Sequence, residues 1–149
     1  MLQRKQTLFL FAALILTIVC LCIPVATFVP QTMGASEQMY NLWIADAKGG
    51  HDLSVWPLFA ILLLSTPFNV AAIFGYKNRK LQARFCLFLE LLMLGWYAVY
   101  AVFSQVADRG TFHVTLAAAL PLVSLILYVL ARRAILADEA LVRAADRIR

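Results

Sequence analysis

Four long apolar runs, parted by short polar breaks, set the pattern of the chain: roughly residues 8–29, 53–76, 85–107 and 112–131. A helix rises 1.5 Å per residue, so about 20 apolar residues cross the ~30 Å hydrocarbon layer of a bilayer. Each run is long enough. The breaks between the second and third runs and between the third and fourth are short, which makes neighbouring helices antiparallel. The pattern therefore predicts an all-α integral membrane protein, four transmembrane helices in an antiparallel bundle over residues 1–131.

Past Ala131 the periodicity changes. Leu141, Val142, Ala145 and Ile148 fall on one side of a helix, and Glu139, Arg143, Asp146 and Arg147 on the other, with Leu136 and Asp138 blurring the division. Residues 132–149 are expected to form an amphipathic helix that lies on lipid, folds against the chain's own loop or docks to a partner. Glu139 and Arg143 stand at i and i+4 in the favourable order.

The longest break, residues 30–55, admits two local structures. Alternation at Tyr40, Leu42 and Ile44, the turn sequence Lys48-Gly49-Gly50-His51, and alternation at Leu53 and Val55 describe a β-hairpin. Met39, Leu42 and Trp43, with Ser36 as N-cap, describe a short interfacial helix. The hairpin is the preferred reading. Pro67 and Pro121 lie inside apolar runs, where each removes a helical hydrogen bond; both are expected to kink their helices, with Ser65 or Thr66 satisfying the carbonyl freed by Pro67. Small residues mark expected helix contacts: Ala71 and Gly75, then Gly95, Ala98 and Ala101, then Ala117–Ala119.

Composition agrees with the pattern. Of 149 residues, 63% are hydrophobic and 14% charged, where soluble domains carry about 25% charged residues. The first run follows Arg4 and Lys5, as a signal peptide would, but it exceeds an h-region of about 7–15 residues and ends in no small-residue cleavage site. It reads as a permanent span. Cys20, Cys22 and Cys86 all lie within the runs and read as packing residues.

Charge supplies the topology. Placing the N-terminus inside puts all of the 13 cations except Lys48 and Arg109 on the cytoplasmic side, where Lys and Arg collect. Both termini are then cytoplasmic. Residues 77–84, within the stretch YKNRKLQARF at 76–85, become a short inner loop, its charges orienting the hairpin of the second and third spans. Lys77, Arg79, Lys80 and Arg84 of that loop, with Arg132, Arg133, Arg143 and Arg147 of the tail, are the candidate contacts to lipid or to a partner, anionic lipid headgroups included. One short basic loop without interleaved aromatics gives no ground for nucleic-acid binding.

The start MLQRKQTLFLFAALIL, the loop YKNRKLQARFC and the tail LPLVSLILYVLARRAILADEALVRAADRIR together resemble a family of uncharacterised bacterial four-span membrane proteins, domain of unknown function 4293. The resemblance runs in order over essentially the whole chain. It implies the bacterial inner membrane and four spans, and it implies no activity and no catalytic residues.

Glu90 is the sharpest candidate for chemistry. It follows Arg84 by six residues, about 9 Å deeper along a helix, and charged groups at depth face a bundle interior or water. Asn69 and Ser124 come to a similar depth by the same counting, and the expectation is an intramembrane polar layer of Glu90 and Asn69 with Ser65 and Ser124. His51 and His113 both belong at the outer edge, and a catalytic zinc takes three protein ligands. No metal, no cofactor, no nucleophile–base set and no phosphate loop is expected, and hence no enzyme. The functional expectation is an accessory or scaffold subunit of an inner-membrane complex, or a homo-oligomer. The alternative is a small proton- or cation-coupled transporter using Glu90.

Overall fold

The computed structural model describes residues 3–30, 34–46, 49–106 and 110–146. Four α-helices run α1 (Gln3–Cys22), α2 (Trp56–Phe74), α3 (Arg79–Val106) and α4 (Leu120–Asp146). All four are long and apolar enough to cross a membrane. Around the bundle α1 packs on α4, α4 on α3 and α3 on α2, with a lighter contact between α1 and α2. At one end sits an antiparallel sheet of five short strands: β1 (Ala26–Val29), β2 (Glu37–Met39), β3 (Ile44–Ala45), β4 (His51–Asp52) and β5 (Thr111–Val114). Their order is β4-β3-β2-β1-β5. The fold is therefore mostly helical, not all-α.

The buried positions show why the helices pack as they do. On α1 they are Gln6, Leu10, Ala13, Thr17 and Cys20; entering α2 they are Val55, Leu58, Leu62, Ser65, Asn69 and Ala72. On α3 the stripe runs Gln82, Cys86, Leu89, Met93, Trp96 and Tyr100, and on α4 Ser124, Tyr128, Ala131, Ile135 and Asp138. Every stripe steps by alternating threes and fours. That spacing keeps one seam on a neighbour when antiparallel helices cross at about 20°. The stripes mix large apolar residues with the polar Gln6, Thr17, Ser65, Asn69, Gln82, Ser124 and Asp138, while many further leucines, isoleucines and valines are exposed on the outer faces. This inverts the arrangement of a helix bundle in water.

The sheet shortens two of the expected spans. Pro24 lacks an N–H and drives Ile23 out of the α region, so α1 stops at Cys22 and the chain turns into β1. Residues 26–29, placed by the sequence in the first span, pair with β2 on one side and β5 on the other. Residues 112–114, placed in the fourth span, form β5. A single 3-10 turn at Leu116–Ala119 then leads into α4. Pro121 consequently stands at the second residue of α4 instead of in its interior. An N–H there has no intrahelical partner to lose, so the expected kink has no cause. Pro67 does lie inside α2, which stays helical around it. Thr66 Oγ1 donates to the Leu63 carbonyl, the group that the proline leaves unbonded, and Ser65 Oγ to Leu62 O at 2.7 Å.

The hairpin reading of the long break holds at its centre, where Ile44 pairs with Asp52 and Ala45 with His51, but Leu53 and Val55, expected in the second strand, form a 3-10 turn that leads into α2. The turn closes through Asp46 and Gly50; Lys48, in its middle, lies outside the described residues. Ahead of β5, Gly110 has φ +111°, and a Cβ there would stand 2.4 Å from the Val29 carbonyl oxygen. Only glycine lets β5 meet β1 so closely.

Most of the eight residues expected to make close helix contacts do not make them. Gly75 and Gly95 have open space where a Cβ would go, and Ala71, Ala98 and Ala101 are exposed. Close approach falls instead at Ala13, Ala72, Ala83 and Ala131, with Ala117 and Ala118 buried as expected.

Candidate functional site at the basic end of the bundle

Opposite the sheet, α2 turns into α3 through a 3-10 turn at Gly75–Lys77. Asn78 caps the new helix: its side-chain oxygen accepts from Leu81 N at 3.4 Å and its carbonyl from Gln82 N at 3.0 Å. The turn is thus tighter than the 77–84 loop read from the sequence. Arg79, Lys80 and Arg84 lie within the first two turns of α3. Gln82 reaches back and donates to the Ala72 carbonyl at 2.9 Å, satisfying one of the last carbonyls of α2.

Helix α4 continues unbroken from Leu120 through Asp146 and folds against the chain's own turn. Arg79 Nη1 lies 3.2 Å from Asp138 Oδ2 and also donates to the Asp138 carbonyl. Asp138, which blurred the amphipathic pattern, is buried for this reason. Glu139 accepts from Arg143 one turn further on.

Between α3 and α4 these residues line an open groove of about 300 Å³. Lys80, Arg84, Arg132 and Arg143 supply its charge, with Glu139 beside them. Ala83, Leu87 and Leu136 form its apolar floor. Four of the eight cations singled out from the sequence therefore meet in one place, from two segments about fifty residues apart. Arg133 lies off the groove and Arg79 is taken by Asp138. The Lys77 side chain and Arg147 lie outside the described residues.

Glu90 stands at the deep end of this region. Its Oε2 is 3.3 Å from Arg132 Nη1, and its side chain keeps 13% of its exposure. Its other oxygen, Oε1, is buried without a hydrogen-bond partner. The expected layer of Glu90, Asn69, Ser65 and Ser124 is not joined. Asn69 Nδ2 donates to the Tyr128 hydroxyl at 2.9 Å, Ser124 Oγ points to the Ala13 carbonyl of α1 at 3.5 Å, and Ser65 bonds within its own helix. Glu90 lies one residue off the buried stripe of α3, which aims it at α4, and there a guanidinium is a stronger partner than an amide.

The residues match the family described as Domain of unknown function (DUF4293) over positions 2–148. The chain belongs to this family. No curated protein matches it. In this DUF4293 chain the match takes in the bundle, the sheet and the basic end together, and the family description assigns no activity to any of them.

At the sheet end, sequence reasoning passed over a polar hub. Asn41, between β2 and β3, is fully buried. Its Nδ2 donates to the Cys20 carbonyl at 2.6 Å, its Oδ1 accepts from Trp96 Nε1 at 3.0 Å, and its backbone carbonyl accepts from Phe59 N at 3.1 Å. One loop residue thereby ties α1, α2 and α3. Tyr100 and Tyr97 add bonds to the Val25 and Ala118 carbonyls at 2.9 and 2.6 Å. Trp96, Tyr97 and Tyr100 cluster toward one end of α3, and three polar-tipped aromatics there were the available signal.

Proposed function

We propose that this chain is a non-enzymatic accessory or scaffold subunit of a bacterial inner-membrane complex. The four helices cross the bilayer, the sheet faces outward, and both termini and the basic end face the cytoplasm, as the distribution of lysine and arginine favours. One observation carries the reading. The Arg79–Asp138 pair fastens the α2–α3 turn to α4, so that the cations of turn and tail form a single fixed face. A preformed charged face suits docking better than a loose tail would, because less ordering entropy is lost on binding.

The test is purification at native expression in mild detergent, followed by identification of companion proteins. The wild-type chain is expected to bring the same membrane protein in constant ratio, and Arg79→Ala, which unfastens the face, to lose it by about tenfold, a loss of roughly 1.4 kcal/mol. Recovery of the lone chain in several detergents would overturn the subunit reading.

A second reading, a small proton- or cation-coupled transporter, draws on the unpartnered Oε1 of Glu90. An oxygen so placed can take a proton or a cation. Arg132 beside it favours the structural role, since an ion pair already supplies a counter-charge. Ion flux through the reconstituted protein that disappears with Glu90→Gln would favour transport; equal flux in both, or none in either, would remove it.

A further inference from the structure

The groove carries more positive charge than its acids balance. Glu139 engages Arg143 and Glu90 engages Arg132, whereas Lys80 and Arg84 have no acidic partner among the described residues and are exposed. Their place on α3 gives the further clue. Lys80, Arg84, Leu87, Leu91 and Leu94 step by fours and threes along one face of that helix. The three leucines are 40%, 57% and 53% exposed. Two cations at the helix start thus continue directly into an uncovered apolar track. Leu136, itself exposed on α4, adds to the apolar wall of the groove.

A free phosphate would be matched by the cations alone and would leave the leucine track unused. A zwitterionic lipid would use the track but brings no net negative charge to the cations. We propose that the groove binds one anionic phospholipid, its phosphate diester held by Lys80 and Arg84 and one acyl chain lying along Leu87, Leu91 and Leu94. Phosphate recognition by a guanidinium and an ammonium is charge-assisted hydrogen bonding, and the chain contact adds apolar burial at about 25 cal/mol per Å². The site rests on membrane insertion, which belongs to the function proposed above, and needs neither that orientation nor a protein partner.

The experiment uses the full chain in phosphatidylcholine vesicles containing a minor fraction of phosphatidylglycerol. Resistance to alkaline carbonate first establishes insertion separately from lipid binding. The protein is then extracted into detergent and its retained lipid measured by mass spectrometry. One phosphatidylglycerol per chain is expected to persist. The Lys80→Gln/Arg84→Gln variant is expected to lower retention about 30-fold, at roughly fivefold for each cation near a charged surface. The charge-conserving Lys80→Arg/Arg84→Lys variant and the off-groove Arg133→Gln variant should keep it. Circular dichroism separates lost binding from lost folding, and the charge-conserving pair holds the claim to account if the glutamine pair does not fold. Equal retention of phosphatidylcholine overturns the proposal, as does an equal loss in Arg133→Gln, which would mean diffuse charge. Displacement by inorganic phosphate beyond that by chloride at matched ionic strength would assign the site to free phosphate instead.

Discussion

Asn41→Leu is expected to destabilise the folded chain by about 3 kcal/mol, the sum of two unsatisfied buried groups at roughly 1–3 kcal/mol each. Leucine keeps the same branched shape with the same number of side-chain heavy atoms but no hydrogen-bonding group, so the main cost is polar. The indole N–H of Trp96 and the carbonyl of Cys20 both lose their partner in a region closed to water. That carbonyl belongs to the last turn of α1, which has no intrahelical donor for it. Trp96→Phe removes the indole donor itself, so only one of the two bonds fails, and the space left by the smaller ring in this buried position adds to the cost. Because the two residues are joined, Asn41→Leu in the Trp96→Phe background should cost less than in the wild type. Thermal unfolding in detergent, followed by circular dichroism, reads all three. If Asn41→Leu melts with the wild type, the hub does not hold the sheet to the bundle.

Arg132→Met should cost about 2–3 kcal/mol, below the 3–5 kcal/mol of a fully buried pair broken on one side, because the arginine is partly exposed. Its removal leaves the Glu90 carboxylate, already with one unpartnered oxygen, without a counter-charge. Glu90→Gln is milder, since the amide remains a neutral acceptor for Arg132. Glu90→Met/Arg132→Met should regain most of the loss, because replacing both ions by apolar groups is often neutral. Denaturant titration of the three variants in detergent checks this order. A double variant less stable than Arg132→Met would mean that the pair stabilises the bundle beyond mutual compensation.

Both expectations depend on contacts that the pattern of residues reveals unevenly. The length and apolarity of the four runs announced four long helices, and Ser65, Asn69 and Ser124 do lie on the buried stripes. Polar residues in an apolar helix turn inward wherever the alternative is hydrocarbon, so their spacing marks the seam. The seam does not say which residue on the facing helix each one meets. That depends on relative height and on helix rotation: Glu90 is directed to Arg132 on α4 and not to Asn69 on α2 by its place one residue off the stripe, about 100° round the helix.

The sheet was harder to read because its strands are two to four residues long and two of them are fused to apolar runs. Val25 to Val29 and Thr111 to Val114 suit a strand or a span equally by composition. The choice is made by partners: β1 completes its hydrogen bonds only between β2 and β5, residues about ten and eighty-five positions away.

The sequence by itself determined the helix count, the charge asymmetry and the basic character of one end, because hydrophobic length and formal charge are sums over neighbouring residues. Tertiary structure alone decided that Asp138 would fasten Arg79, that Glu90 would meet Arg132, that Asn41 would join three helices, and that Lys80 and Arg84 would share a groove with Arg132 and Arg143. Each of these needs two segments far apart in the chain to arrive at one height and one rotation. No local property of either segment contains that information.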